Sequence, residues 1–183
     1  METVITMGLD AKQYFNDNRR DHYWDKNKEK YKRFFYRKLI DLKNAIDLNT
    51  PENELRSDSY RNLGYMGIGT QSGLSLGIKT EEAIKTKNSL GDHVIGTVEI
   101  GKYIRKECEK NNWDYNYMCK EWLYENLWIW STITVSKAEH KNENIQIDSN
   151  SIDEKRHLKH YLNVSNFYEK DSSKRYTKKL IFD

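Results

Sequence analysis

A chain of 183 residues with 37% hydrophobic and 13% aromatic content can bury one sizeable core but not two, so a single domain spanning 1–183 is expected. Charged residues make up 32%, yet the formal net charge is only +3, which excludes any argument for a polyanionic partner from overall charge alone. No apolar run reaches the length of a bilayer span and nothing at the start has a leader pattern, so a cytoplasmic protein without a membrane partner is expected.

Residues 1–59 form an N-terminal basic helical region. From Asn18 to Leu48 the apolar positions Tyr31, Phe35, Leu39, Leu42 and Ile46 fall within an arc of about 80° on a helix, which marks a face turned to the core. Lys26, Lys30, Arg33 and Arg37 make a second stripe, about 60° wide and opposite the first. Residues 19–43 hold ten Lys/Arg against four Asp/Glu. This is either an ordinary solvated face or a phosphate-contacting one, and the absence of an acid from the stripe favours the second. Asn49-Thr50-Pro51-Glu52 ends the helix and starts a short new one.

Residues 60–87 form a glycine-rich region. Gly64, Gly67, Gly69, Gly73 and Gly77 punctuate near-alternating Tyr, Ile and Leu, a pattern of short strands and tight turns. Neither the GxGxxG spacing nor the Lys-Ser/Thr of a phosphate loop is present, so these glycines serve turns or close backbone approach. Thr80–Lys87 predicts a helical turn. Residues 97–130 predict two helices joined near Asn111-Asn112, the second aromatic enough to be core. Cys108 and Cys119 lack metal or disulfide spacing and read as packing residues. Residues 131–136, Ser-Thr-Ile-Thr-Val-Ser, are strand-like. Ser136 caps a helix from Lys137, with Glu139 three residues on.

The chemistry centres on Asp92-His93, followed by Val94-Ile95, and on His140 and Asn144, which are four apart and so share a helix face. The segments Gly91–Ile95 and Ser131–Asn144 resemble the HNH, or ββα-metal, endonuclease family of the homing and restriction type. The resemblance implies an α+β fold, mostly helical with short antiparallel strands and a ββα-metal motif carrying a helical insertion. The catalytic core would be 88–147, with 97–130 as the insertion and 148–183 as a basic C-terminal region. It implies His93 as general base, and Asp92, His140 and Asn144 as ligands of one divalent cation. The family's middle Asn falls at Ser131, so either Ser131 through its hydroxyl or Asn126 is expected to orient His93.

Hydrolysing a phosphodiester needs a deprotonated water and a neutralised leaving oxygen. Histidine as a residue type titrates near about pH 6.5 and suits the first task. A cation with oxygen and imidazole ligands suits the second. Mg2+ is the default on availability, with Mn2+, Ni2+ and Zn2+ compatible. Residues 155–179 hold eight Lys/Arg against two Asp/Glu, so Lys155, Arg156, Lys159, Lys174, Arg175, Lys178 and Lys179 join the basic helix as expected contacts to double-stranded DNA. Cutting both strands makes a homodimer attractive.

A restriction-type core with an acid and Glu-x-Lys would need Glu99 and Lys102, whose spacing puts them on opposite faces of a strand. The rival from another class is a non-catalytic DNA-binding protein using the basic helix and C-terminal segment.

Overall fold

The computed structural model describes residues 3–7, 11–141, 166–170 and 175–182. Helix α1 (Ala11–Asn18) leads into the long α2 (Arg20–Asp47). Its two faces are as the spacing predicts. Tyr31, Phe35, Leu39 and Leu42 are buried, while Lys26, Lys30, Arg33 and Arg37 are exposed. The helix stops as Asn49 takes a positive φ of 56°, a left-handed residue that turns the chain out of the helix and that asparagine tolerates. Pro51 then precedes α3 (Glu52–Leu55).

The glycine-rich region holds less strand than its pattern predicts. A π-type turn over Arg56–Tyr60 runs into helix α4 (Arg61–Met66), and Leu74–Thr80 forms a single strand, β2. The reason lies in packing against α6 (Thr97–Lys110). An ideal Cβ on Gly64 would stand 2.2 Å from the Thr97 carbonyl oxygen, and one on Gly101 would stand 2.3 Å from the Tyr60 Cα. These glycines mark helices that touch through their backbones, not turns. Short helix α5 (Glu81–Lys85) follows β2 with Thr80 as its N-cap.

Strands β1 (Thr3–Met7), β3 (Ser89–His93), β4 (Ser131–Ser136), β5 (Phe167–Lys170) and β6 (Tyr176–Phe182) join β2 in a six-stranded sheet of order β1-β6-β5-β2-β4-β3. The expectation of antiparallel strands holds for β3–β4, β2–β5 and β5–β6 and is corrected for the other two pairs. The fold is mixed α and β, and β1–β6 and β2–β4 pair in parallel. Parallel neighbours need a crossover of a dozen or more residues, and the segment from α5 to Trp130 supplies it for β2 and β4. The C-terminal region, expected only as a basic stretch, contributes β5 and β6 to the sheet.

The segment between β3 and β4 is helical, as expected. After α6 come α7 (Tyr115–Tyr117), a π-type turn (Met118–Trp122), α8 (Leu123–Glu125) and a tight turn (Leu127–Trp130). Its aromatics build core: Trp122, Trp128 and Trp130 are buried. Phe35 of α2 stacks on Trp122 and meets Trp130 edge-on, each at 5.7 Å between ring centroids. Burying such side chains stabilises the fold by roughly 1.5–3 kcal/mol apiece. The Trp130 indole N–H donates to the Leu63 carbonyl at 2.8 Å, tying the insertion to α4. Cys108 and Cys119 are free and buried. Burial pushes their thiols up to about 12 and about 11, so they are inert packing residues at neutral pH. No helix among the described residues is long and apolar enough to cross a membrane.

The sheet's two faces differ in kind. Leu74, Leu76 and Ile78 of β2 and Ile133 and Val135 of β4 are buried in the core. The alternate positions carry Ser75, Gly77, Lys79, Gly91, Thr132 and Thr134, a face of hydroxyls, glycine backbone and a lysine on which Thr132 is itself buried.

Candidate active site

Strand alternation and a helix cap fix the site. β3 and β4 are antiparallel, with Asp92 opposite Ile133 and His93 opposite Thr132. Helix α9 (Lys137–Lys141) follows β4 directly. Its start is the reciprocal cap that the sequence predicts. The Ser136 hydroxyl accepts from the Glu139 N–H at 3.1 Å, and Glu139 Oε2 accepts from the Ser136 N–H at 2.8 Å. The same carboxylate oxygen accepts from the Thr80 hydroxyl at 2.7 Å, a link to β2 for which the sequence holds no signal. Glu139→Ala should therefore lower unfolding stability by about 1–2 kcal/mol. Urea denaturation checks this, and an unchanged midpoint would remove the cap and the strand link as anchors of α9.

So anchored, α9 brings His140 to Asp92. Nε2 of His140 and Oδ1 of Asp92 are 3.8 Å apart, with the side chains 37% and 11% exposed. That gap is too long for a hydrogen bond. It suits two ligands of one cation, because donor atoms each about 2.1 Å from an ion stand roughly 3–4.2 Å apart. A hard carboxylate oxygen and an imidazole nitrogen are a donor set that divalent cations accept. No group of three or more His, Cys, Asp or Glu side chains placed to hold a metal occurs among the described residues. Asn144, the third expected ligand, lies outside those residues.

His93 is the first correction at the site. It was expected to converge with His140, but side chains on a strand alternate, so neighbours 92 and 93 point to opposite faces. The His93 ring meets Tyr65 edge-on at 5.5 Å, and an ideal Cβ on Gly73 would come within 3.5 Å of its Nε2. It therefore shares the hydroxyl face with Thr132, while Asp92 shares the core face with Ile133. β3 is the edge strand beside β4, and His93 is its last residue. The two side chains stand on opposite faces at the end of one strand.

The two candidates for orienting His93 are corrected as well. Ser131 is fully buried and its hydroxyl makes no hydrogen bond among the described residues. It pairs past the end of β3, where its carbonyl accepts from the Val94 N–H at 3.0 Å. Asn126 donates its amide to the Trp122 carbonyl at 2.9 Å, closing its own helical turn. The residue across from His93 is Thr132, followed by the Tyr65 ring. Alternation of threonine with isoleucine and valine in 131–136 was the available signal for Thr132; nothing in the sequence points to Tyr65.

Glu99 and Lys102 lie on helix α6, so the strand-borne acid-lysine arrangement is absent there. Of the expected C-terminal DNA contacts, Arg175 is exposed and Lys178 and Lys179 lie on β6. Lys155, Arg156, Lys159 and Lys174 lie outside the described residues.

No family model, curated protein or solved structure matches this chain.

Proposed function

We propose that this protein is a metal-dependent DNA endonuclease of the ββα-metal kind. The observation that carries the reading is the approach of Asp92 to His140 across 3.8 Å, made by an antiparallel strand pair followed by a helix, although a long helical insertion separates them in sequence. Asp92 and His140 would hold one divalent cation, Mg2+ by default, with water and phosphate oxygens completing the shell as magnesium sites commonly require. Bound there, the ion supplies Lewis-acid neutralisation of the charge that develops on the phosphate and leaving oxygen. His93 accepts the proton of the attacking water. Residues 92 and 93 face opposite ways on β3, so a shared substrate has to cross the end of that strand to meet both. The exposed stripe Lys26, Lys30, Arg33 and Arg37 contacts backbone phosphates of double-stranded DNA. A homodimer would present two such sites to the two strands.

Supercoiled plasmid incubated with the protein and Mg2+ or Mn2+ is expected to be nicked or linearised, and EDTA to stop the reaction. His140→Ala should raise the metal concentration for half-maximal cleavage by roughly ten- to hundredfold, at least the loss that removing an outer-sphere partner brings. Cleavage that survives EDTA removes the metal from the reading. An unchanged metal requirement removes His140.

A further inference from the structure

The hydroxyl face of the sheet is not flat. A cleft of about 450 Å³ opens between it and the first turns of α2, within the roughly 300–1,000 Å³ typical of small-ligand sites. Its walls include Asn27 and Lys30 from α2, Ser72 from the chain entering β2, Ser75 of β2 itself, and Thr132 and Thr134 from β4. No carboxylate is among the described residues that line it.

The polar part of this lining, which Tyr23, Tyr31 and Leu74 complete, suits a sugar-phosphate unit. Lys30 is the member of the basic stripe that reaches the cleft, so the positive face of α2 continues into it. The hydroxyls are held loosely: Thr132 donates to the Ser72 carbonyl at 3.4 Å, and Thr70 stands 3.4 Å from the Ser72 hydroxyl and 3.5 Å from the Gly73 carbonyl. Bonds of that length are weak and are exchanged for phosphate oxygens at small cost. Ser75 accepts from the Gly77 N–H at 3.0 Å and keeps its own proton to donate. The floor leads to His93, because Gly73, at a φ of +67°, carries no side chain where a Cβ would strike Thr132 Cγ2 at 2.4 Å and come within 3.5 Å of His93 Nε2.

We propose that this cleft seats one sugar-phosphate unit of the strand to be cut and thereby delivers the adjoining phosphate to His93. The assignment rests on the nuclease reading and adds the path of the strand, which the metal pair on the other face does not define. A single lysine and a set of hydroxyl and amide partners match one backbone segment, not a whole duplex.

The test compares three charge changes in the full chain. Ser75→Glu and Lys30→Glu place a carboxylate in the cleft, both at exposed positions that tolerate it. Lys28→Glu makes the same change as Lys30→Glu on another flank of α2. Affinity for a fluorescein-labelled duplex is read by anisotropy in EDTA, and plasmid cleavage in Mg2+ or Mn2+, with melting curves to show that each variant is folded. The two cleft variants should each weaken binding by about tenfold or more and slow cleavage accordingly, as like charge against a phosphate does, whereas Lys28→Glu should weaken it by less than about threefold. Equal loss in all three variants, or parental affinity in the cleft variants, overturns the cleft while plasmid cleavage by the parent keeps the nuclease reading. A parent that neither binds nor cuts DNA overturns both. Should Ser75→Glu fail to fold, Ser72→Glu, at an exposed position of the same lining and outside the basic stripe, decides.

Discussion

His93→Ala is expected to slow single-turnover plasmid cleavage by roughly two to four orders of magnitude, the usual contribution of a positioned general base, with DNA affinity held within about threefold. The separation of effects follows from placement. His93 is half-buried at the end of β3 against Tyr65 and is not a member of the exposed stripe of α2, so on the proposed reading its loss removes the proton acceptor and leaves the stripe's phosphate contacts in place. Tyr65 meets the ring edge-on, and a melting curve of the variant establishes that it is folded. Quenched-flow or gel assays at saturating protein measure the rate, and anisotropy measures the affinity. A cleavage rate equal to that of the parent removes His93 as the base. A parent that binds DNA and never cuts it favours the non-catalytic binding protein, which shares the basic helix and requires nothing of residue 93.

The largest structural effect should come from a single methyl group. Gly64→Ala puts a Cβ 2.2 Å from the Thr97 carbonyl oxygen and 2.4 Å from its Cα, atoms of backbone in the first turn of α6 that cannot rotate away. Overpacking typically costs about 1–3 kcal/mol, and a clash with backbone belongs at or above the upper end. A loss of about 3 kcal/mol lowers the melting midpoint of a domain this size by roughly 6–12 °C. Gly91→Ala is the matched control: its ideal Cβ meets nothing nearer than 3.6 Å, so the midpoint should barely move. Circular dichroism melting of the two variants checks the contrast. Equal midpoints would mean that α4 and α6 shift apart freely, and the account of Gly64 as a contact glycine would be wrong.

How much of this could be seen in the sequence depends on the range of the interaction. Local signals served well. The period of α2, the cap of α9 and the β-branched run of β4 are each set by residues within a few positions of one another, and all three stand where their patterns put them. Long-range pairing was not legible. Residues 176–182 were read for charge, and their strand character emerges only because β1 and β5 are there to pair with them. Gly64 and Gly101 carry the same letter whether they serve turns or helix contacts, and only the neighbouring helix decides. At the site, the order of Asp92, His93 and His140 was enough to suggest a meeting of Asp92 with His140. It was not enough to place His93, since that requires knowing that β3 remains regular through its last residue and so obeys the alternation that sends 92 and 93 apart.

The position of β4 between β2 and β3 has a consequence for how the protein comes into being. A nascent chain that has emerged only as far as Trp130 already contains Asp92 and His93, yet the strand bearing them has no neighbour to lie against and the histidine that faces Asp92 has not been made. The approach of Asp92 to His140 therefore arrives only with the tertiary structure, and a fragment ending at Trp130 holds Asp92 and His93 without it.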